Sequence, residues 1–190
     1  MEFDILLIRN FFGHLGTVMR HRHMVMKHCF KAGIIRRGLL HDLSKFSPTE
    51  FIAGVKYYQG NRSPNERERE ISGYSRAWLH HKGRNRHHFE YWTDYSIKTG
   101  RLTPVCMPDV YIYEMFCDRV AASKIYKKEA YNDRCPLEYF LNGKGTRFID
   151  PNTSEKLEFL LTLLAEKGEE EAFGYIRQYS RKNKIRSGKK

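Results

Sequence analysis

Apolar residues recur along this chain at helical spacing wherever glycine and proline do not interrupt. Asp4 to Ala32 carries one unbroken helical pattern, with Gly33 as its stop. Ile35 to Lys45 suits a second helix. Ser47-Pro48-Thr49-Glu50 reads as a start signal, with Ser47 as N-cap, Pro48 at the first position and Glu50 closing a capping box. That helix runs to about Tyr58. Gln59 to Ser72 is polar and reads as an exposed loop. A short helix is predicted for Tyr74 to His81; Gly83 and Asn85 break it, and the pattern resumes from Phe89 to Lys98. Thr99 to Pro108 reads as a connection. Asp109 to Lys128 is a clear helix with a stripe of Ile112, Met115, Val120, Ala122 and Ile125. Pro136 to Leu141 suits a short helix. Asn152 and Glu155 offer a second capping box before a helix ending at Gly168, and a last helix spans Glu170 to about Lys182. No segment alternates with the period of a strand. The expectation is an all-α chain: one compact helical domain over residues 1–180 and a basic, disordered tail over 181–190.

Composition narrows the class. The chain has 190 residues, of which 41% are hydrophobic and 14% aromatic, which excludes collagen-like and wholly disordered proteins. That length buries a core without disulfide or metal staples. No run approaches the roughly 18 apolar residues of a membrane span, and the N-terminus lacks a secretory cleavage pattern. Four scattered cysteines (Cys29, Cys106, Cys117, Cys135) form no C-x-x-C pair and read as reduced, mostly buried thiols of a cytoplasmic protein.

Charge and histidine are unevenly placed. Of the net charge of +12, the last 14 residues supply +7 and no acid, so the remaining body is nearly balanced. All nine histidines lie between His14 and His88. Adjacent side chains on a helix differ by about 100°, so the His41-Asp42 pair can straddle one ion. His14, His21 and His28 follow a heptad spacing along the stripe of Val18, Val25 and Ala32, a face directed at the core. Each is ~10 Å from the next along the axis, so one of the three can reach a given ion. His21, at mid-helix, is the candidate; His14 and His28 read as hydrogen-bonded core residues, and His23 as surface. AWLHHKGRNRHHFEYW then places His80, His81, His87 and His88 among Lys82, Arg84 and Arg86, with Trp78, Phe89, Tyr91 and Trp92 to pin the segment to the core. Asp118 lies at helical spacing from Met115, Ala122 and Ile125, and a carboxylate there needs a cation or several donors. That cation could be a metal ion or a buried partner such as Arg37 or Lys124. Glu114, one turn earlier, is a partner behind the ligands or a general base.

The order His21, His41-Asp42, His80/His81, His87/His88, Asp118 resembles the HD-domain superfamily of all-α metal-dependent phosphohydrolases, over roughly His14 to Lys128. HDLSK is similar to its HD-x-x-K, and CDRVAAS to the segment around its last aspartate. The sequence also resembles a bacterial and phage family sharing HDLSKFSPTEF and HHKGRNRHHFEYW. The interval from His21 to His41 is shorter than usual in the superfamily, and no histidine lies between Asp42 and His80. The resemblance implies His21, His41, Asp42 and Asp118 as primary ligands. It implies His81 and His88 as ligands of a second ion, with His80 and His87 as alternates. One or two divalent ions (Mn, Co, Ni, Mg, Zn or Fe) would activate water against a phosphomonoester or phosphodiester, possible substrates including a nucleotide. Asp42 would hold the metal and steer the water, and Lys45, Lys82, Arg84 and Arg86 would clamp the phosphate.

Three rival readings stand beside this one. A nucleic-acid-binding module would use the basic tail for phosphate contacts. A di-iron oxygenase of HD-like type would suit the same His/Asp set. A non-catalytic protein would keep a structural ion.

Overall fold

The computed structural model describes the backbone of residues 2–187 and the side chains of residues 5–180. Eight helices account for most of it: α1 (Glu2–Lys31), α2 (Ile35–Leu40), α3 (Pro48–Lys56), α4 (Pro64–Ser72), α5 (Arg76–Lys82), α6 (Asp109–Lys127), α7 (Cys135–Asn142) and α8 (Pro151–Ser187). The fold is mostly α-helical, as the periodicity predicts. The expected tail falls partly within α8, whose backbone continues to Ser187; the side chains from residue 181 and all of residues 188–190 lie outside the described part. No described helix is long and apolar enough to cross a membrane.

Local chemistry explains most element ends. Gly33 takes φ 73°, a left-handed conformation that releases the chain from α1. The Ser47 hydroxyl accepts from the Glu50 backbone N–H at the start of α3, and Pro48 occupies the first turn. Asp150, rather than Asn152, caps α8 by accepting from the Thr153 N–H at 3.0 Å. Gly168, at φ 80° and ψ 178°, interrupts α8 where the sequence predicts a helix end.

Three expectations need correction. Residues 59–72 are not all loop: Pro64 opens α4, and Gly73 in a left-handed conformation closes it. The helix predicted from Ile35 ends at Leu40, because Asp42 adopts φ 53° and only a 3₁₀ turn follows, Leu43–Phe46. The pattern does not resume as a helix after Asn85. After a 3₁₀ turn (Phe89–Tyr91), β1 (Thr93–Ser96) pairs antiparallel with β2 (Arg101–Pro104), Thr93 opposite Pro104. This exposed hairpin lacks the apolar alternation that marks a half-buried strand, so its sequence carries no such signal.

The core lies between α1, α6, α7 and α8. Val25 and Cys29 of α1, with Ala32 just beyond its end, meet Ile112, Phe116 and Val120 of α6, Phe140 of α7, and Leu157, Leu161, Leu164, Phe173 and Ile176 of α8. Each leucine fully buried here contributes ~1.5–3 kcal/mol. The α6 stripe divides in two: Ile112, Met115 and Val120 enter the core, whereas Ala122 and Ile125 are half-buried and line a cavity beside Asp118. All four cysteines are free thiols, three of them buried and Cys106 exposed. Beside the core, Glu169 of α8 joins Lys31 of α1 and Lys124 of α6, which hold its carboxyl at about 2 against the opposing effect of burial.

His14 and His28 are buried as the heptad reading predicts. His14 packs against Gly54, where any Cβ would meet its ring within 2.1 Å. The His28 Nδ1 lies 3.2 Å from the Cys117 carbonyl and its ring stacks on Phe173. Burial foremost lowers the His28 pKa to about 4; the carbonyl hydrogen bond opposes that shift and nearby Lys124 adds to it. The imidazole is therefore neutral in the fold and protonates first in the unfolded chain. Its contribution to stability is full above the ordinary histidine pKa near 6.5 and is lost as pH falls toward 4. Urea unfolding at pH 7 and pH 4.5 should show wild type losing on the order of 2 kcal/mol more than His28→Gln between those values.

Candidate metal centre

Five separate segments converge on one buried point. His21 comes from the middle of α1, and the end of α2 supplies His41 and Asp42. His41 is the last residue before the turn, and Asp42 is one of only two non-glycine residues with positive φ among those described. The left-handed state costs an ordinary residue about 1 kcal/mol and is most tolerated by Asn and Asp. It turns the Asp42 carboxylate back beneath His41. Arg22, one residue beyond His21, braces this turn: its Nε donates to the His41 carbonyl at 2.8 Å and its Nη2 to the Leu39 carbonyl at 3.2 Å.

The last turn of α5 supplies His80 and His81, the segment after it supplies His87 and His88, and α6 supplies Asp118. His81 and His87 are buried and His88 half-buried, whereas residues 84 and 86 are exposed. This inside–outside division settles the fate of the basic residues among them. Arg84 folds back on the His80 carbonyl, and Arg86 reaches the Tyr111 hydroxyl over the ring of Tyr91. Neither these two nor Lys82 lines the cavities beside the histidines, so the expected phosphate clamps are not at this site. Lys45 is: its Nζ lies 3.0 Å from Asp42 Oδ2. Burial opposes its charge, but Asp42 and Asp118 outweigh that and raise its pKa to about 12.

Two buried glutamates fix the ring orientations. Glu114 Oε1 accepts from Nδ1 of both His41 (3.1 Å) and His87 (3.3 Å), while its Oε2 accepts from Arg37 Nε at 2.6 Å. Glu50 accepts from Nδ1 of His80 and of His81, each at 2.7 Å. A carboxylate only accepts, so these contacts put the ring proton on Nδ1 and, in His41, His81 and His87, leave the Nε2 lone pair facing inward. Burial opposes the charge on Glu114, yet the His41 and His87 hydrogen bonds hold its carboxyl at about 2. Arg37 thus pairs with Glu114 rather than with Asp118, and Lys124 pairs with Glu169.

The inward atoms form two sets. His21 Nε2 lies 2.9 Å from Asp118 Oδ1, and His41 Nε2 lies 3.8 Å from that same oxygen and 3.4 Å from Asp42 Oδ2. On the other side, Asp42 Oδ1 lies 3.3 Å from His81 Nε2 and 3.4 Å from His87 Nε2, and His88 Nε2 lies 2.9 Å from His81 Nε2. The donor atoms of His21, His41 and Asp118 lie within 4.8 Å of one another, and so do those of Asp42, His81, His87 and His88. Both carboxylates face both sets, since Asp118 Oδ2 is 3.9 Å from His87 Nε2. His41 Nε2, His87 Nε2 and Asp42 Oδ1 are buried and make no hydrogen bond. Burial opposes ionisation of Asp42 and Asp118, but the imidazoles around each, with Lys45 beside Asp42, hold both well below the usual carboxylate range. Lone pairs crowded at this spacing, beside ionised carboxylates, are a donor set that fits divalent transition ions.

Of the ligand candidates, His21, His41, Asp42, Asp118, His81 and His88 are brought together, and His87 joins them as a full participant rather than an alternate. His80 is turned away onto Glu50. Glu50 is the functional residue the sequence pattern hides, because its capping position accounts for it locally. Arg22 and Arg37 are likewise silent in the sequence, since long-range contacts alone define their roles.

Two cavities flank the donors. One, of about 300 Å³, reaches from His14 and Tyr58 to Lys45 and His21. The other, of about 630 Å³, runs outward from His88 and Asp118 past Trp78 and Phe89. Trp78 stacks on His81 and meets His88 edge-on, which closes that flank of the histidines. Loss of the Arg22 brace should destabilise the Asp42 turn: Arg22→Ala is expected to cost about 1–3 kcal/mol in chemical unfolding, with Arg22→Lys recovering at most part of it.

The family profile described as "Family of unknown function (DUF5662)" matches residues 10–163, a span holding every donor described above. No curated protein and no solved structure matches the chain. The chain belongs to this family, DUF5662.

Proposed function

We propose that this chain is a metal-dependent phosphohydrolase in which two divalent ions are held by His21, His41, Asp42, Asp118, His81, His87 and His88. The observation that carries the reading is the set of buried, unbonded donor atoms, His41 Nε2, His87 Nε2 and Asp42 Oδ1, the two imidazoles being aimed inward by Glu114. Apolar packing gives no reason to bury such atoms. The resemblance of HDLSK and CDRVAAS to HD-domain phosphohydrolases supports the same reading.

When bound, the ions lower the pKa of a coordinated water and neutralise charge on the phosphoryl oxygens. The residues of the chain supply the rest. Asp42 and Asp118 each face both donor sets and so tie them into one unit. Lys45, ammonium beside Asp42 and open to the smaller cavity, meets a phosphoryl oxygen. Trp78 and Phe89 wall the larger cavity on the side facing His88. Glu114 is committed to His41, His87 and Arg37 and is a positioning residue, not a base.

A bridged His/carboxylate set also suits two irons and oxygen chemistry, and two measurements discriminate. Metal analysis of purified protein should find one or two equivalents of a divalent ion. Aryl phosphate hydrolysis with Mn²⁺, Co²⁺ or Ni²⁺ should fall at least about 1,000-fold in Asp42→Ala. Absence of hydrolysis on any phosphoester by loaded protein, or tight iron with a visible absorption band and oxygen consumption, would overturn the proposal. Glu114→Gln and Glu50→Gln should each weaken Mn²⁺ binding about 10- to 100-fold in competition titrations, through loss of ring orientation.

A further inference from the structure

The larger cavity contains a second polar feature that the metal chemistry does not use. Beyond Asp118 its wall is formed by Arg119, Glu90 and Arg147. The Nε of Arg119 is buried without a hydrogen bond, and so is Oε2 of Glu90. Among the described residues neither Arg119 nor Arg147 forms an ion pair, with Glu90 or any other acid. Both guanidiniums lie against the ring of Phe140, at 6.0 Å and 5.2 Å from its centroid. The ring offers each a cation–π contact but supplies no anion. The other arginines lining the cavity are differently employed: Arg62 is paired with Glu70, and Arg69 lies over the ring of Trp78.

Arg119 feels the charges of Asp118 and Glu90 without pairing with either, and Asp118 is committed to the donor histidines. A buried guanidinium without a partner is costly, and an arginine fork is suited to a planar or tetrahedral oxyanion. Arg147 is part of the frame: its Nη atoms donate to the Tyr139 and Phe140 carbonyls at the end of α7. Arg119 is the free member. It follows Asp118 directly on α6, so the same turn that presents a ligand carboxylate to the donors presents a cation to the cavity.

We propose that Arg119, framed by Arg147 and Glu90, is an anion subsite that selects substrates carrying a second acidic group, a carboxylate or a further phosphate, distal to the phosphoryl group. The proposal rests on the phosphohydrolase reading for the identity of the first anion. Glu90 sets the limit of the subsite, since its carboxylate opposes part of the charge the arginines offer. A cavity of about 630 Å³ has room for both ends of such a ligand.

Non-hydrolysable probes test this apart from turnover. Alkylphosphonates and ω-carboxyalkylphosphonates with linkers of two to six carbons are titrated into the Mn²⁺-treated protein, with aryl phosphate hydrolysis measured in parallel. The carboxylate should tighten binding about tenfold or more at one linker length, and less at shorter and longer ones. Arg119→Met should reduce that preference to about onefold, and Arg119→Lys should restore part of it. Glu90→Gln should increase the preference, a rise that misfolding does not produce. An equal gain at every linker length would show only the field of a basic protein. That result, or a preference unchanged in Arg119→Met or in Glu90→Gln, overturns the subsite. Loss of aryl phosphate hydrolysis with the preference intact would instead count against the phosphohydrolase reading alone.

Discussion

A buried imidazole offers a lone pair in a fixed direction only if its other nitrogen is held protonated, and in this protein two glutamates impose that condition. Glu114 on α6 reaches His41 and His87 from one side. Glu50 on α3 reaches His81 from another. Without these carboxylates, each ring is free to exchange tautomers or flip, and the inward atoms lose their common focus. Arg37 completes the arrangement by balancing Glu114, which would otherwise be a buried, uncompensated charge. The positions of α2, α3, α5 and α6 follow from this requirement as much as from apolar packing.

The same helices serve core and site. One stripe of α1 carries Val18 and Val25 into the interior and presents His21 between them. On α6, Ile112, Phe116 and Val120 bind the helix to α8, while Asp118 and Ala122 face the cavities. Shared elements of this kind make the donors rigid, because moving a donor means moving a close-packed helix. They also mean that fold stability and site geometry are not independent properties of this chain.

The helices and the inward histidine stripe were legible in the sequence because periodicity is a local signal. His21 and Asp118 stood out for that reason; His41-Asp42 stood out as an adjacent pair, and the segment after Trp78 by its density of histidine. Other features depend on contacts distant in sequence. Glu50 looked like a helix-capping residue and is one at the backbone, yet its side chain acts 30 residues away on His80. Lys82, Arg84 and Arg86 shared a segment with the donor histidines, but backbone direction after α5 sent the charges outward and the rings inward. The β hairpin escaped notice because neither of its faces is buried in the core. Arg119 carried no signal at all, since an arginine after an aspartate on a helix is ordinary until a cavity opens beside it.

The left-handed backbone at Asp42 has a consequence for how this chain tolerates change. Asparagine adopts that conformation about as readily as aspartate and nearly matches it in shape. Asn at position 42 would therefore keep the turn, and with it the packing of α2 on α1, while removing the negative charge that both donor sets share. Most positions in a buried polar cluster couple architecture to chemistry, so that a lesion in one is a lesion in both. Position 42 uncouples them at the backbone: a lineage could drift there from a competent centre to an inert scaffold of the same shape, with the loss of the Lys45 ion pair as the cost.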